Sequence, residues 1–83
     1  MTYGEQAVGL TFNPSGDPVV HEIKQLYAQI IDICNQSRND RAQDTGRPAH
    51  TPTERARLFS IAITEAQGAQ MWAVKAITWK DAP

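Results

Sequence analysis

Two stretches of this chain carry apolar residues at helical spacing on more sides than one partner helix can cover. In the first, Val20, Ile23, Tyr27, Ile30 and Cys34 recur three and four apart and make one stripe. Val19, Leu26, Ile31 and Ile33 widen that stripe well beyond a narrow seam. In the second stretch Ala62, Ala66, Ala69, Ala73 and Ala76 trace a row of small residues, which lets another helix come close. Leu58, Phe59, Ile61, Ile63, Met71, Trp72, Val74, Ile77 and Trp79 cover much of the rest. The pattern predicts an all-α fold, a two-helix antiparallel hairpin preceded by a short N-terminal arm or helix. Its parts are an arm and turn over 1–16, helix one over 17–38, a polar loop over 39–50 and helix two over 51–79. Eighty-three residues make at most one domain, with little core of its own. One hairpin hides one face of each helix. The apolar surplus therefore predicts an obligate, symmetric homo-oligomer, with Met71, Trp72 and the alanine row in its core.

Local signals set the expected boundaries. Asp17 followed by Pro18 reads as a cap and first helical residue. Thr51, Pro52 and Glu54 read as a capping box for helix two, with Thr51 as the cap. Gly68 inside helix two costs about 1 kcal/mol relative to alanine, which is tolerable where a partner backbone crosses. Met1 to Thr11 reads either as a frayed terminus or as a helical turn over Tyr3 to Val8, docked through Tyr3 and Leu10.

Composition excludes several function classes. Cys34 is the single cysteine, so no disulfide framework is expected; it reads as a small packing residue in a reducing, cytoplasmic setting. His21 and His50 are far apart and no Cys/His spacing suits zinc, so neither metal nor cofactor is expected. Eight basic against nine acidic residues give a net charge of −1, a poor match to polymeric nucleic acid. No apolar run approaches the length of a membrane span or a secretory signal. Asp32 and Glu65 fall inside helices with no visible catalytic partner, and no nucleophile–base pair is evident, so an enzyme ranks last. Arg38, Arg41 and Arg47 in or beside the loop read as solvated.

The stretch from Phe12 to Lys24 is the candidate binding site. Pro14 fixes its own φ and extends Asn13, and Ser15-Gly16 allows a tight turn. Lys24 lies two helical turns beyond Asp17, on the same face, and leans back over that turn. Phe12 offers a face for a base, Asn13 and Ser15 offer hydrogen bonds, and Lys24 with the helix start offers positive potential to a phosphate. The same residues also read as a plain turn and cap. Phe12 is then a hydrophobic staple and Lys24 a solvated helix residue, and Asp17 counts against an anion at that helix end.

Taken together, Phe12-Asn13-Pro14-Ser15-Gly16, Ile23-Lys24, Arg57-Leu58, Ala62-Ile63-Thr64 and the run Ala69 to Ala76 carry a further signal. From about Leu10 to Trp79 the chain resembles the helical-hairpin cyclic-nucleotide sponges of bacteriophages, which include an anti-CBASS sponge and a related Thoeris anti-defence sponge. The resemblance implies sequestration without catalysis, in the cytoplasm of an infected bacterial host, by hexamers that hold cyclic messengers at subunit interfaces. It implies that Phe12 stacks on a base, that Asn13 and Ser15 bond base or phosphate, that Pro14 and Gly16 shape a close approach, and that Lys24 pairs with phosphate. It also implies a second pocket for cyclic trinucleotides, with Arg57 and Thr64 as candidates and Arg55 close behind. A cyclic ADP-ribose isomer as ligand and a purely structural docking hairpin are the alternatives.

Overall fold

A computed structural model of the chain describes residues 1–40 and 53–82. These form three helices, α1 (Tyr3–Val8), α2 (Pro18–Asn39) and α3 (Glu54–Ile77), with no strand among the described residues. The Val20 and Lys24 end of α2 shares a cavity with the Val74 and Thr78 end of α3, and Arg38 reaches Ser60 at the opposite end, so the two long helices run antiparallel. The α1 helix lies antiparallel along α2, with Tyr3 beside Arg38 and Gly4 beside Ala28.

Each helix start has a chemical cause. Thr2 caps α1 in a capping box with Glu5: the Thr2 hydroxyl accepts the Glu5 N–H and the Glu5 carboxylate accepts the Thr2 N–H. Asp17 caps α2, its carboxylate accepting the Val19 N–H at 2.8 Å, with Pro18 as the first helical residue. For α3 the cap is Thr53, not Thr51. The Thr53 backbone is extended at φ −118° and its hydroxyl accepts the Ala56 N–H at 3.0 Å. The third helical residue is then Ala56, which has no side chain to answer, and Glu54 is held by Arg57. No reciprocal box forms there; Thr51, Pro52 and most of the expected loop lie outside the described residues.

The buried seam is narrower than the apolar pattern and sits in a different register. Val8, Ala28, Ile31 and Ile63 form the core cluster, flanked by Ala7, Leu10, Tyr27, Cys34 and Ala66. On α2 the buried line is Val20, Lys24, Ala28 and Ile31, and Ile30 from the expected stripe is exposed. On α3 only Ile63 and Gln70 are fully buried; Ala66 and Ala73 are half-buried, and Ala62, Ala69 and Ala76 face outward. Nothing in the described chain lies against Gly68, so its expected close contact is not made within one subunit.

The N-terminal segment is docked rather than frayed, chiefly through Gly4 and Val8, with Tyr3 contributing an outer contact to Arg38. Val8 is buried whereas Tyr3 is exposed, and Leu10 packs partly against the core. Gly4 is the contact point: a Cβ there would stand 2.0 Å from the Ala28 carbonyl oxygen. Its N–H donates to the Asp32 carboxylate at 2.6 Å, so Asp32 satisfies an orphan N-terminal N–H of a neighbouring helix. Arg38 lies in the last turn of α2 and is engaged there rather than solvated. It bonds Asn35 and Ser60 and lies over the Tyr3 ring, tying three helices at one end.

The result is a thin slab of 61 × 24 × 14 Å, with a thickness little above that of one helix with its side chains. Leu26, Ile30, Ile33, Leu58, Ile61 and Trp72 all lie 42–71% exposed on it.

Candidate ligand cavity beside Phe12

The cavity begins with how α1 ends. Gly9 takes a left-handed conformation at φ 62°, and the Gly9 and Leu10 N–H groups donate to Gln6 and Glu5 carbonyls in a Schellman closure. A turn follows in which the Phe12 N–H donates to the Gly9 carbonyl at 2.9 Å. Lys24 clamps both ends of this turn: its ammonium donates to the Gly9 carbonyl at 3.1 Å and to the Phe12 carbonyl. It is 6% exposed, which overturns the reading of Lys24 as a solvated residue. Of its three N–H donors, two are taken by the backbone and one remains. The same ammonium stands 5.6 Å from the Phe12 ring centre, a cation–π contact, while the ring itself is 71% exposed.

The next turn is Asn13 to Gly16. The Gly16 N–H donates to the Asn13 carbonyl at 3.1 Å, and Gly16 has the positive φ of 67° that the turn requires. Asn13 and Ser15 are used internally: the Asn13 amide donates to the Asp17 carbonyl, and the Ser15 hydroxyl donates to Asn13 Oδ1 while accepting the Asp17 N–H. Each keeps unused capacity, one amide hydrogen on Asn13 and one lone pair on Ser15. The turn is thus held by its own side chains before any ligand arrives.

Phe12, Asn13, Pro14, Ser15, Val20 and Lys24 line one wall of a cavity of about 600 Å³. The other wall comes from α3: Gln70, Met71, Val74, Lys75 and Thr78. Gly16 shapes the turn without lining the cavity. Sequence reasoning passed over Gln70, Lys75 and Thr78 as site residues. Their spacing of five and three along α3 was the available signal, but it points to this wall only once the antiparallel register is known. Lys75 lies 5.3 Å and 5.9 Å from the ring centres of Trp72 and Trp79, cradled between two exposed indoles.

The second candidate pair lies elsewhere. Arg57 donates to the Glu54 carboxylate on the outer face of α3, and both side chains are more than 60% exposed. That bond holds the Glu54 carboxyl below its ordinary range and the Arg57 guanidinium above its own. The Thr64 hydroxyl donates to the Ser60 carbonyl at 3.2 Å, two turns along the same face. Arg55 instead donates to the Ser37 carbonyl at 2.7 Å and covers the Phe59 ring, so it closes the end of α2.

Among the described residues, no three His, Cys, Asp or Glu side chains gather as a metal site, and no helix is long and apolar enough to cross a membrane. A family model described as Acb2/Tad1, hairpin domain, matches residues 4–78. No curated protein and no solved structure matches the chain.

Proposed function

This chain belongs to the Acb2/Tad1 hairpin family of anti-CBASS and anti-Thoeris sponges, and from that premise we propose that it sequesters cyclic oligonucleotide messengers of a bacterial host without cleaving them. Cyclic dinucleotides such as cyclic GMP–AMP are the first ligands, held in the cavity beside Phe12. The observation that carries this reading is the meeting of an exposed ring, a fixed ammonium and a preformed turn around about 600 Å³, within the range of small-molecule sites. Phe12 stacks on a base. The remaining N–H of Lys24 meets a phosphate, and Asn13 and Ser15 offer their unused donor and acceptor. Pro14 contributes wall, and Gly16 keeps the turn tight.

The assembly is a homo-oligomer, a hexamer by analogy with the family, acting in the cytoplasm of a phage-infected cell. A slab this thin leaves large apolar side chains exposed on both long helices, and covering them needs further copies. Arg57 and Thr64 on the outer face of α3 are assigned to a second pocket, for cyclic trinucleotides. The same purine-and-phosphate chemistry also suits a cyclic ADP-ribose isomer, the Thoeris branch.

Titration calorimetry against cyclic di- and trinucleotides and cyclic ADP-ribose isomers tests the reading. It is followed by heat denaturation and recovery of the ligand. Intact ligand released on heating is expected. Linear products mark an enzyme, and silence across the whole panel leaves a protein-docking hairpin. Phe12→Ala is expected to weaken dinucleotide binding at unchanged oligomer mass.

A further inference from the structure

Ile63, Gln70 and Ile77 occupy successive heptad positions on α3. Where its neighbours in the seam are isoleucines, Gln70 places a carboxamide. It is 6% exposed, and its amide oxygen is buried with no hydrogen-bond partner. An acceptor left in that state is destabilising, and an apolar residue of similar volume avoids the cost. The side chain lines the cavity beside Phe12, together with the apolar Val20, Met71 and Val74. Those three offer no side-chain N–H or O–H, and the donors of the same cavity, among them Asn13, Lys24, Lys75 and Thr78, make no bond to the oxygen.

We infer that Gln70 is the residue that reads the base, taking the amino-bearing edge of an adenine. The amide torsion is broad, so the oxygen turns toward the cavity at little cost. There it accepts the adenine N6–H while its NH₂ donates to N7, the bidentate match of a carboxamide to adenine. The N7/O6 edge of guanine presents two acceptors and cannot satisfy the oxygen; guanine can do so only by turning its O6/N1–H edge to the carboxamide, and cyclic di-GMP is the control for that. The unmet need is for a donor, and the adenine amino group supplies one beside the N7 acceptor. This rests on the cavity being the cyclic-nucleotide site proposed above.

The test compares wild type with Gln70→Leu, and with Gln70→Met in case leucine packs badly. Each is titrated with cyclic di-AMP, with its analogue carrying unsubstituted purine in place of adenine, and with cyclic di-GMP. Melting temperature without ligand and oligomer mass are followed alongside. Wild type is expected to prefer cyclic di-AMP to the purine analogue by about tenfold, the worth of one net hydrogen bond. The variants bind both alike and melt, without ligand, no lower than wild type. Equal binding of both ligands by wild type overturns the assignment, as does a preference that survives in the variants or a lower melting temperature in both. Binding of cyclic di-GMP without cyclic di-AMP overturns it while leaving the sponge in place. Failure of wild type to bind any cyclic nucleotide removes the sponge itself.

Discussion

Replacing Gly4 by alanine is expected to lift α1 off the hairpin. The added Cβ would stand 2.0 Å from the Ala28 carbonyl oxygen, where about 3.0 Å is the closest approach real contacts show. Backbone faces backbone, so no side-chain rotation relieves the clash, and α1 must retreat by roughly 1 Å. That retreat stretches the 2.6 Å bond from the Gly4 N–H to Asp32 beyond hydrogen-bonding range. A bond to a charged acceptor contributes about 1.5–3 kcal/mol. Partial exposure of Val8, buried at 4%, adds a share of the roughly 1.5–3 kcal/mol its full burial is worth. Alanine's better helix propensity returns about 1 kcal/mol. The net loss is about 1–4 kcal/mol of docking, a lowering of the melting temperature by roughly 4–30 °C if the domain unfolds as one unit. Hydrogen exchange gives the sharper readout: amides of Tyr3 to Phe12 should lose protection while those of α3 keep most of theirs. Because Phe12 follows directly from the α1 closure, dinucleotide affinity should fall with it. Adding Asp32→Ala to Gly4→Ala should cost little more, since the contact is already broken. Wild-type protection of α1 in Gly4→Ala, with stability within about 0.5 kcal/mol of the parent, would refute the close approach.

Lys24→Met keeps the stem but leaves the Gly9 and Phe12 carbonyls without their donor; it should cost about 2–4 kcal/mol in denaturant unfolding and reduce ligand binding more than Phe12→Ala does. If Arg57 serves a trinucleotide pocket, Glu54 competes with the ligand for it. Glu54→Gln should then raise cyclic-trinucleotide affinity several-fold in titration, and an unchanged affinity counts against Arg57. The sign with pH follows from the lowered Glu54 carboxyl: the ion pair persists to more acid conditions than for an ordinary glutamate, and is lost as pH falls through the folded value. Ile33→Asp places a charge among exposed apolar side chains and should shift the mass in analytical ultracentrifugation toward monomer; an unaltered mass would mean that this face lies outside the assembly.

How far the sequence revealed this molecule varies along the chain. Asp17-Pro18 gave the start of α2 because a carboxylate followed by proline acts locally. Thr51 and Thr53 are both threonines ahead of the same helix, and which one caps depends on what Glu54 can reach; Arg57 three residues on decides it. The stripes identified two helices, yet with apolar residues on several sides the periodicity could not choose the buried line, and Ile30 went outward while Lys24 went in. Gly4 carries no local signal of its role, because its reason is 24 residues away, at Ala28. Likewise the turn from Phe12 to Gly16 was legible in its own residues. The opposite wall, with Gln70 and Lys75, is set by helix pairing, which no local motif encodes.

The carbonyl-held ammonium of Lys24 has a kinetic meaning. A surface lysine is a free-swinging charge, and arresting it on association costs roughly 0.5–1.5 kcal/mol in lost rotamers. Here folding has already arrested it, with Gly9 and Phe12 as its moorings. Under the proposed function, an arriving phosphate would meet a stationary source of field and need not freeze one. For a stoichiometric trap that must outcompete a receptor for a scarce signal, that difference lengthens the dwell of each captured molecule by about two- to tenfold.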